Sequence, residues 1–393
     1  MSAEENLLNK ILGIYYTANA LAGIFLSVFL FNLGGFKAVV QFGFIIFVTA
    51  YIVYLLSSWL LKTISSTALI KIGLLAATFF YALLVLLQEN SINFLLLLGF
   101  FNGASIGCFW SGFNLSQYIL SHEHTRNAFF GRQKFLTNIA STFGPLISGG
   151  IIGYAGIVAT KSIGYTAVFA IVAILMLYAF FESEKLPEHK GIEFRIFHIF
   201  QHVRSRGWKI VLLQQFLMGF YDAAITVIVT ILVFLIVKQE FTLGVLNFFV
   251  GIVLAFSYIG AARLLQKNKQ SIVLAMIFPP IGILIFAFLQ NYIGIILLIV
   301  FHFAFYPLLD ITLSKSYFDT IDKAEGSWQN KYHFIIERES VLNLSRAATY
   351  LVLFVFVTPT NQIQVARLWL LAVPMLIIAI GALQFYKFRV AQD

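Results

Sequence analysis

The chain has 393 residues, 60% hydrophobic and only 11% charged, with a formal net charge of +9. Soluble domains carry about 25% charged and 45–50% apolar residues, so this composition excludes an ordinary soluble fold and fits a chain whose outer faces meet lipid. One cysteine, Cys108, excludes an intrachain disulfide, and its apolar surroundings make it a small packing residue.

Met1 to Asn9 is polar, and the apolar run that follows is too long for a cleaved signal, so it is expected to stay as a first helix. Apolar segments then fall at 10–32, 38–61, 68–88, 92–118, 128–155 and 162–182. A polar stretch, Glu182 to Trp208, interrupts them. Six more follow at 209–237, 242–265, 270–289, 292–317, 333–357 and 365–387. Each reaches or approaches the roughly 20 residues that a spanning helix needs, and none alternates as a barrel strand would. The expected fold is an all-α integral membrane protein of twelve transmembrane helices in two six-helix, pseudo-symmetric bundles. The bundles cover residues 1–182 and 209–393, joined by a linker at 183–208.

Lys and Arg concentrate in cytoplasmic loops. With the N-terminus inside, roughly 21 of the 26 basic residues fall on the cytoplasmic side, so both termini are expected there. This placement accounts for the positive charge without nucleic acid. In the linker, Phe194, Phe197, His198 and Phe200 mix with Arg195, Arg204 and Arg206, which reads as an amphipathic helix against anionic membrane lipids.

The halves echo each other. Gly13-Ile14-Tyr15-Tyr16 in the first segment matches Gly219-Phe220-Tyr221-Asp222 in the seventh. Trp110 and Asn114 in the fourth match Tyr306 and Asp310 in the tenth, and after each a polar loop leads to a basic residue opening the next segment, Arg132 and Arg338. Matches at corresponding places in two halves point to a duplicated fold.

A charge at the bilayer centre is costly and asks for a reason. Asp222, Asp310 and Arg346 lie within apolar segments, with Lys134 less deep. Asp222 or Asp310 would bind a proton or a cationic solute, and Arg346 would couple protonation to conformation. The competing reading is a static Asp310–Arg346 pair that only holds the second half together. Tyr15, Tyr16, Asn19, Trp110, Asn114 and Tyr221 are expected to line a cavity, or else to bond between helices. His302 reads as a satisfied polar residue. Gly99, Gly103, Gly107 and Ser111 form a small-residue stripe for close helix approach, and a sliding surface.

Motifs of soluble chemistry fail. His122-Glu123-His124 has no third metal ligand nearby, and His198 and His202 belong to the amphipathic segment. No phosphate loop, nucleophile elbow or CxxC is present. No cofactor, no metal and no enzymatic activity are expected.

In the fifth segment, Ala140-Ser141-Thr142-Phe143-Gly144-Pro145-Leu146-Ile147-Ser148-Gly149-Gly150 resembles the Gly-Pro-x-x-Gly-Gly motif of proton-coupled antiporters of the major facilitator superfamily, with Ser148 in place of the first paired glycine. Six plus six segments and a basic middle loop extend that resemblance over nearly the whole chain. Two places depart from it. Ser57-Ser58-Trp59-Leu60-Leu61-Lys62-Thr63-Ile64-Ser65-Ser66 lacks the Asp of the family's loop between helices 2 and 3, and so does Gly260-Ala261-Ala262-Arg263-Leu264. Asp319, Asp322, Lys323, Glu325, Glu337, Arg338 and Glu339 could form gate salt bridges in their stead.

The resemblance implies alternating access about a central cavity lined by helices 1, 4, 7 and 10, with Gly144, Pro145, Ser148, Gly149, Arg132 and Arg338 as hinge or gate. It implies a monomeric secondary transporter of the bacterial cytoplasmic membrane, moving a small organic molecule, amphipathic or cationic, with a proton. Efflux is the leading direction. Uptake symport, facilitation, lipid movement and a non-transporting sensor are the alternatives.

Overall fold

A computed structural model describes residues 2–120, 126–190, 204–323 and 328–390. His122, Glu123, His124, Glu325 and most of the expected amphipathic linker helix, including Arg195, His198 and His202, lie outside the described residues.

Every regular element among the described residues is helical. α1 spans Ala3–Leu60 and opens on a capping box, in which the Ser2 hydroxyl accepts from the Glu5 amide and the Glu5 carboxylate accepts from the Ser2 amide. Two residues inside it leave helical geometry: Gly34 (φ −140, ψ 16) and Gly35 (φ 69, ψ −171). The positive φ at Gly35 is open to glycine and strained for other residues. The chain doubles back there. Tyr15 and Tyr54 lie about equally far from Gly35 along the chain and both reach the same stretch of α3: Tyr15 stacks on Phe109 and Tyr54 accepts a bond from Asn114.

α2 (Ser66–Leu87) and α3 (Leu95–Leu120) are joined only by a tight 3-10 turn, Gln88–Phe94, entered through Gln88 at φ 47. This pair also folds back on itself, since Phe79 packs on Phe101 and Gly73 lies under Phe109. α4 (Arg126–Val158) and α5 (Lys161–Ser183) complete the first half of the chain.

After the linker come α6 (Arg206–Ala223), a π turn (Ala224–Val229) and α7 (Thr230–Val237), which run on as one continuous stretch. α8 (Glu240–Lys267), α9 (Ile272–Leu289) and α10 (Tyr292–Leu298) follow. A second π turn, Ile299–Phe303, lies just ahead of Pro307 in α11 (Ala304–Asp322). Proline lacks the amide that would bond the Phe303 carbonyl, and such irregular turns recur at functional sites. α12 (Trp328–Phe356) and α13 (Gln362–Val390) end the chain.

Ten continuous helical stretches among the described residues are long and apolar enough to cross a membrane. The difference from twelve segments has a simple origin. The expected breaks at 33–37 and 89–91 are a glycine pair inside α1 and a short polar 3-10 turn, so each pair of limbs runs on as one continuous helical stretch. Apolar side chains such as Leu86, Phe256, Phe288 and Met375 stand on the outside, as a lipid-facing surface requires. The chain is a multi-pass helical membrane protein.

Polar contacts gather at two ends. At the end carrying both termini, Lys10 pairs with Glu182 at 2.9 Å, Lys71 with Glu184 at 2.8 Å, and Lys387 donates to the Ser316 hydroxyl at 2.6 Å. At the far end, Lys161 pairs with Glu240 at 2.8 Å and the Phe36 amide donates to Gln362 Oε1 at 2.6 Å.

Small residues set the tightest packing. A Cβ on Gly99, Gly103 or Gly107 would fall within 3 Å of the returning limb of α1 at Ile45, Ile46 or Val53, so the stripe in α3 is a helix-contact surface. Across the two halves of the chain, a Cβ on Gly244 of α8 would lie 2.4 Å from the Pro145 carbonyl of α4, and one on Gly251 would lie 2.4 Å from the Thr142 hydroxyl.

Candidate functional site

A cavity of about 960 Å³ extends from the middle of the bundle toward the end that carries the termini. Four helices build it, each with one face at the i, i+3, i+4, i+7 spacing that a helix requires. α3 gives Trp110, Phe113, Asn114 and Gln117. α4 gives Phe130, Gln133, Lys134 and Thr137. α11 gives Ile311, Ser314, Lys315 and Phe318, with Asp322 one turn on. α12 gives Glu339, Leu342, Asn343 and Arg346, with Arg338 beside them. Leu12, Tyr16 and Tyr54 of α1 close one side.

Position by position, the lining faces run in a different register from the repeat read in the sequence. The lining faces match Trp110 with Ile311 and Asn114 with Lys315, where sequence alone paired them with Tyr306 and Asp310. They also match Lys134 with Asn343 and Thr137 with Arg346.

Of the expected lining residues, Tyr16, Trp110 and Asn114 face the cavity. Tyr16 and Trp110 meet edge to face at 6.2 Å, and Asn114 donates to the Tyr54 hydroxyl at 3.3 Å. Tyr15 does not: its ring is buried in parallel contact with Phe109 at 3.9 Å. Asn19 is spent on the Tyr15 carbonyl at 2.8 Å.

The seventh segment contributes nothing to the lining, because α12 packs directly over it. Gly219 is so close to Ser345 and the Leu342 carbonyl that no side chain fits between them. Tyr221 is buried, sharing a 3.0 Å hydrogen bond with His302 Nε2 and stacking on Tyr306 at 5.5 Å. His302 keeps Nδ1 buried without a partner, so it is half satisfied rather than fully so.

Asp222 lies behind the cavity wall and pairs with Arg346, Nη2 to Oδ2, at 2.6 Å. This corrects the expected Asp310–Arg346 pair. α12 sits on α6, which brings Arg346 over Asp222, while Asp310 turns toward α8 and α4. There it accepts from the Tyr258 hydroxyl at 2.8 Å and lies 4.0 Å from Lys134, an ion pair between the two halves of the chain. The Lys134 ammonium also stands 5.8 Å from the Tyr258 ring centre.

The motif in α4 is packed, with Gly144 against Ala20 of α1 and Gly149 against Gly244 of α8. The Ser148 hydroxyl is wholly buried with no hydrogen-bond partner. Arg132 donates to Asn6 at 2.5 Å, within the first half of the chain. Arg338 lines the cavity, donating to Gln215 at 3.2 Å and to Glu339 at 2.6 Å with its guanidinium over Tyr317.

The salt bridges expected of the tenth-to-eleventh connection do form in part, but they do not join the halves. Glu337 takes Arg204 and the Trp208 indole, the latter at 2.6 Å, and so ties the end of the linker to the second half. Tyr332, donating to the Ser111 carbonyl at 3.0 Å, and the Phe130–Phe318 ring pair join the halves at this end instead.

Several lining residues escaped sequence reading: Gln133, Thr137, Lys315 and Asn343, while Glu339, read as a gate residue, lines the cavity as well. Their signal was the helical spacing of polar residues on the fifth, tenth and eleventh segments. Among the described residues no cluster of three or more His, Cys, Asp or Glu could hold a metal.

The sequence profile of the Major Facilitator Superfamily matches residues 9–325. The Bacillus subtilis (strain 168) protein YqgE is 25% identical over 360 residues, covering 86% of this chain and 79% of that one. A Geobacillus stearothermophilus protein from the sodM 3′ region is 27% identical over 165 residues, 42% of this chain and 75% of that one. Among solved structures, the POT family transporter PepTSo superposes with a TM-score of 0.70 at 11% identity, over 100% of this chain and 99% of that one. The nucleoside transporter NupG gives 0.68 at 11% identity, over 98% and 99%. The Escherichia coli fucose:proton symporter FucP gives 0.63 at 15%, over 97% and 98%. At such identities the likeness is one of fold.

Proposed function

We propose that this chain, which belongs to the major facilitator superfamily, is a secondary active transporter that takes up a small organic solute together with a proton by alternating access. The observation that carries this reading is the cavity of about 960 Å³, built from two matched pairs of helices and bearing charged groups at membrane depth. Such charges are expensive in a bilayer and are kept where they act on a solute or an ion.

The reading includes twelve crossings. A straight helix of 58 residues would be roughly 87 Å long, far more than the ~30 Å hydrocarbon core. Folding back at Gly34–Gly35 and at Gln88–Phe94 turns ten stretches into twelve limbs, six in residues 1–182 and six in 209–393. Both termini then lie on one side, the cytoplasmic one by the distribution of Lys and Arg. A monomer in a bacterial cytoplasmic membrane completes the picture.

Coupling would run through the two ion pairs. Asp310 holds Lys134 across the halves. A proton on its carboxylate removes that attraction and frees the helices to part. Asp222 holds Arg346 at the cavity wall and would release it on protonation. Uptake replaces efflux as the leading direction for two reasons. The α4 motif serves here as interhelical packing, which carries no directional information, and FucP, of the same fold, is a fucose:proton symporter.

The test is accumulation in proteoliposomes under an inward proton gradient, with a panel of small organic solutes and an Asp310→Asn variant. The expected result is gradient-driven accumulation of at least one solute, lost in the variant while solute exchange without a gradient persists. Accumulation that ignores the gradient and the variant alike would sink the coupling and leave a facilitator.

A further inference from the structure

We infer that the cavity recognises an organic oxyanion, carried as a carboxylate, sulfonate or phosphate on a planar apolar body. This deepens the transporter reading and rests on it.

The charges facing the cavity are unequal. Lys134, Lys315, Arg338 and Arg346 line it, against Asp322 and Glu339. Glu339 is already bonded to Arg338 at 2.6 Å. Toward the middle of the bundle the two lining charges are Lys134 and Arg346, both cationic. Their counter-charges, Asp310 and Asp222, stand outside the lining. A solute that reaches the middle of the bundle therefore meets an ammonium and a guanidinium on the lining.

Both cations have donors to spare. Arg346 is bound to Asp222 through one nitrogen of a five-donor fork. Lys134 is 4.0 Å from Asp310, too far for a direct hydrogen bond, and its side chain is 69% exposed. The Gln133 and Asn343 side chains line the cavity beside these two cations. The edge-to-face pair of Tyr16 and Trp110 offers an apolar wall for a flat body.

A cationic solute would have to displace Lys134 or Arg346 to reach either acid. The sequence-based leaning toward a cation required Asp222 and Asp310 to face the cavity, and neither does.

The charge of the cavity can be tested without knowing the solute. Thr137 lines it one turn from Lys134. In the full chain carrying Cys108→Ala, Thr137→Cys is reacted with two methanethiosulfonates of similar size, one bearing a sulfonate and the other a quaternary ammonium. Each rate is divided by that of the same reagent with a free small thiol.

A normalised ratio favouring the anion by about tenfold is expected, falling toward unity in Lys134→Gln and in high salt. A ratio at or below one overturns the inference and leaves the carrier reading standing. Absence of reaction with both reagents overturns both, because the cavity would then be closed to water. Lys315→Gln, farther toward the mouth, is a second variant that keeps the charge argument testable if Lys134→Gln does not fold.

Discussion

Replacing Gly244 with valine is expected to lower stability by about 3 kcal/mol and to abolish solute accumulation. A side chain at this position would strike the Pro145 carbonyl and the Gly149 backbone, atoms that cannot swing aside. The two helices, from opposite halves of the chain, would be forced apart along the surface on which the halves meet. Gly260 of the same helix is the control, since a Cβ there meets nothing within 4 Å. Denaturant unfolding in detergent and accumulation in proteoliposomes give the readouts. Equal behaviour of Gly244→Val and Gly260→Val would show that the contact between α4 and α8 is not this close.

The second large effect concerns Arg346. A double-mutant cycle with Asp222→Asn and Arg346→Gln is expected to give a coupling energy of about 1–3 kcal/mol. Breaking a fully buried ion pair by removing one partner costs about 3–5 kcal/mol. These side chains remain 28% and 24% exposed, which reduces the figure. The same cycle with Asp310→Asn in place of Asp222→Asn should be additive to within about 0.5 kcal/mol. Coupling to Asp310 and none to Asp222 would reverse the assignment made here.

Much of the fold was legible because bilayer physics leaves few options. Apolar runs of spanning length must be helices, so all twelve expected segments correspond to helical chain, within a few residues at most ends. The breaks expected at 33–37 and 89–91 fall where the chain does turn, at Gly34–Gly35 and at the polar 3-10 segment Gln88–Phe94, although helical chain runs up to both sides of each.

The site was less legible, for a related reason. Hydropathy tells which residues are out of place in lipid, and it found Asp222, Asp310, Arg346 and Lys134. It does not tell which way each one points. Asp222 and Tyr221 do not line the cavity, because α12 packs over Gly219. Gln133 and Asn343 were overlooked, although they share helical faces with Lys134 and Arg346. The pairing of Arg346 depended on which helix crosses α6, a tertiary fact with no local signature.

The glycine pair at 34–35 also bears on how the protein is made. With no hydrophilic connector between its limbs, α1 would offer the insertion machinery a ready hairpin rather than a first helix followed by a second. In the proposed twelve-crossing arrangement both limbs would enter the bilayer together, with Lys10 and Lys62 at the two feet and only the turn, with Lys37, reaching the far surface. The pair α2–α3, closed by a short 3-10 turn, would enter as a second hairpin with a more polar tip. The opening third of the chain would then be delivered as two closed loops, each paired with itself before the helix that holds Asp222 is made.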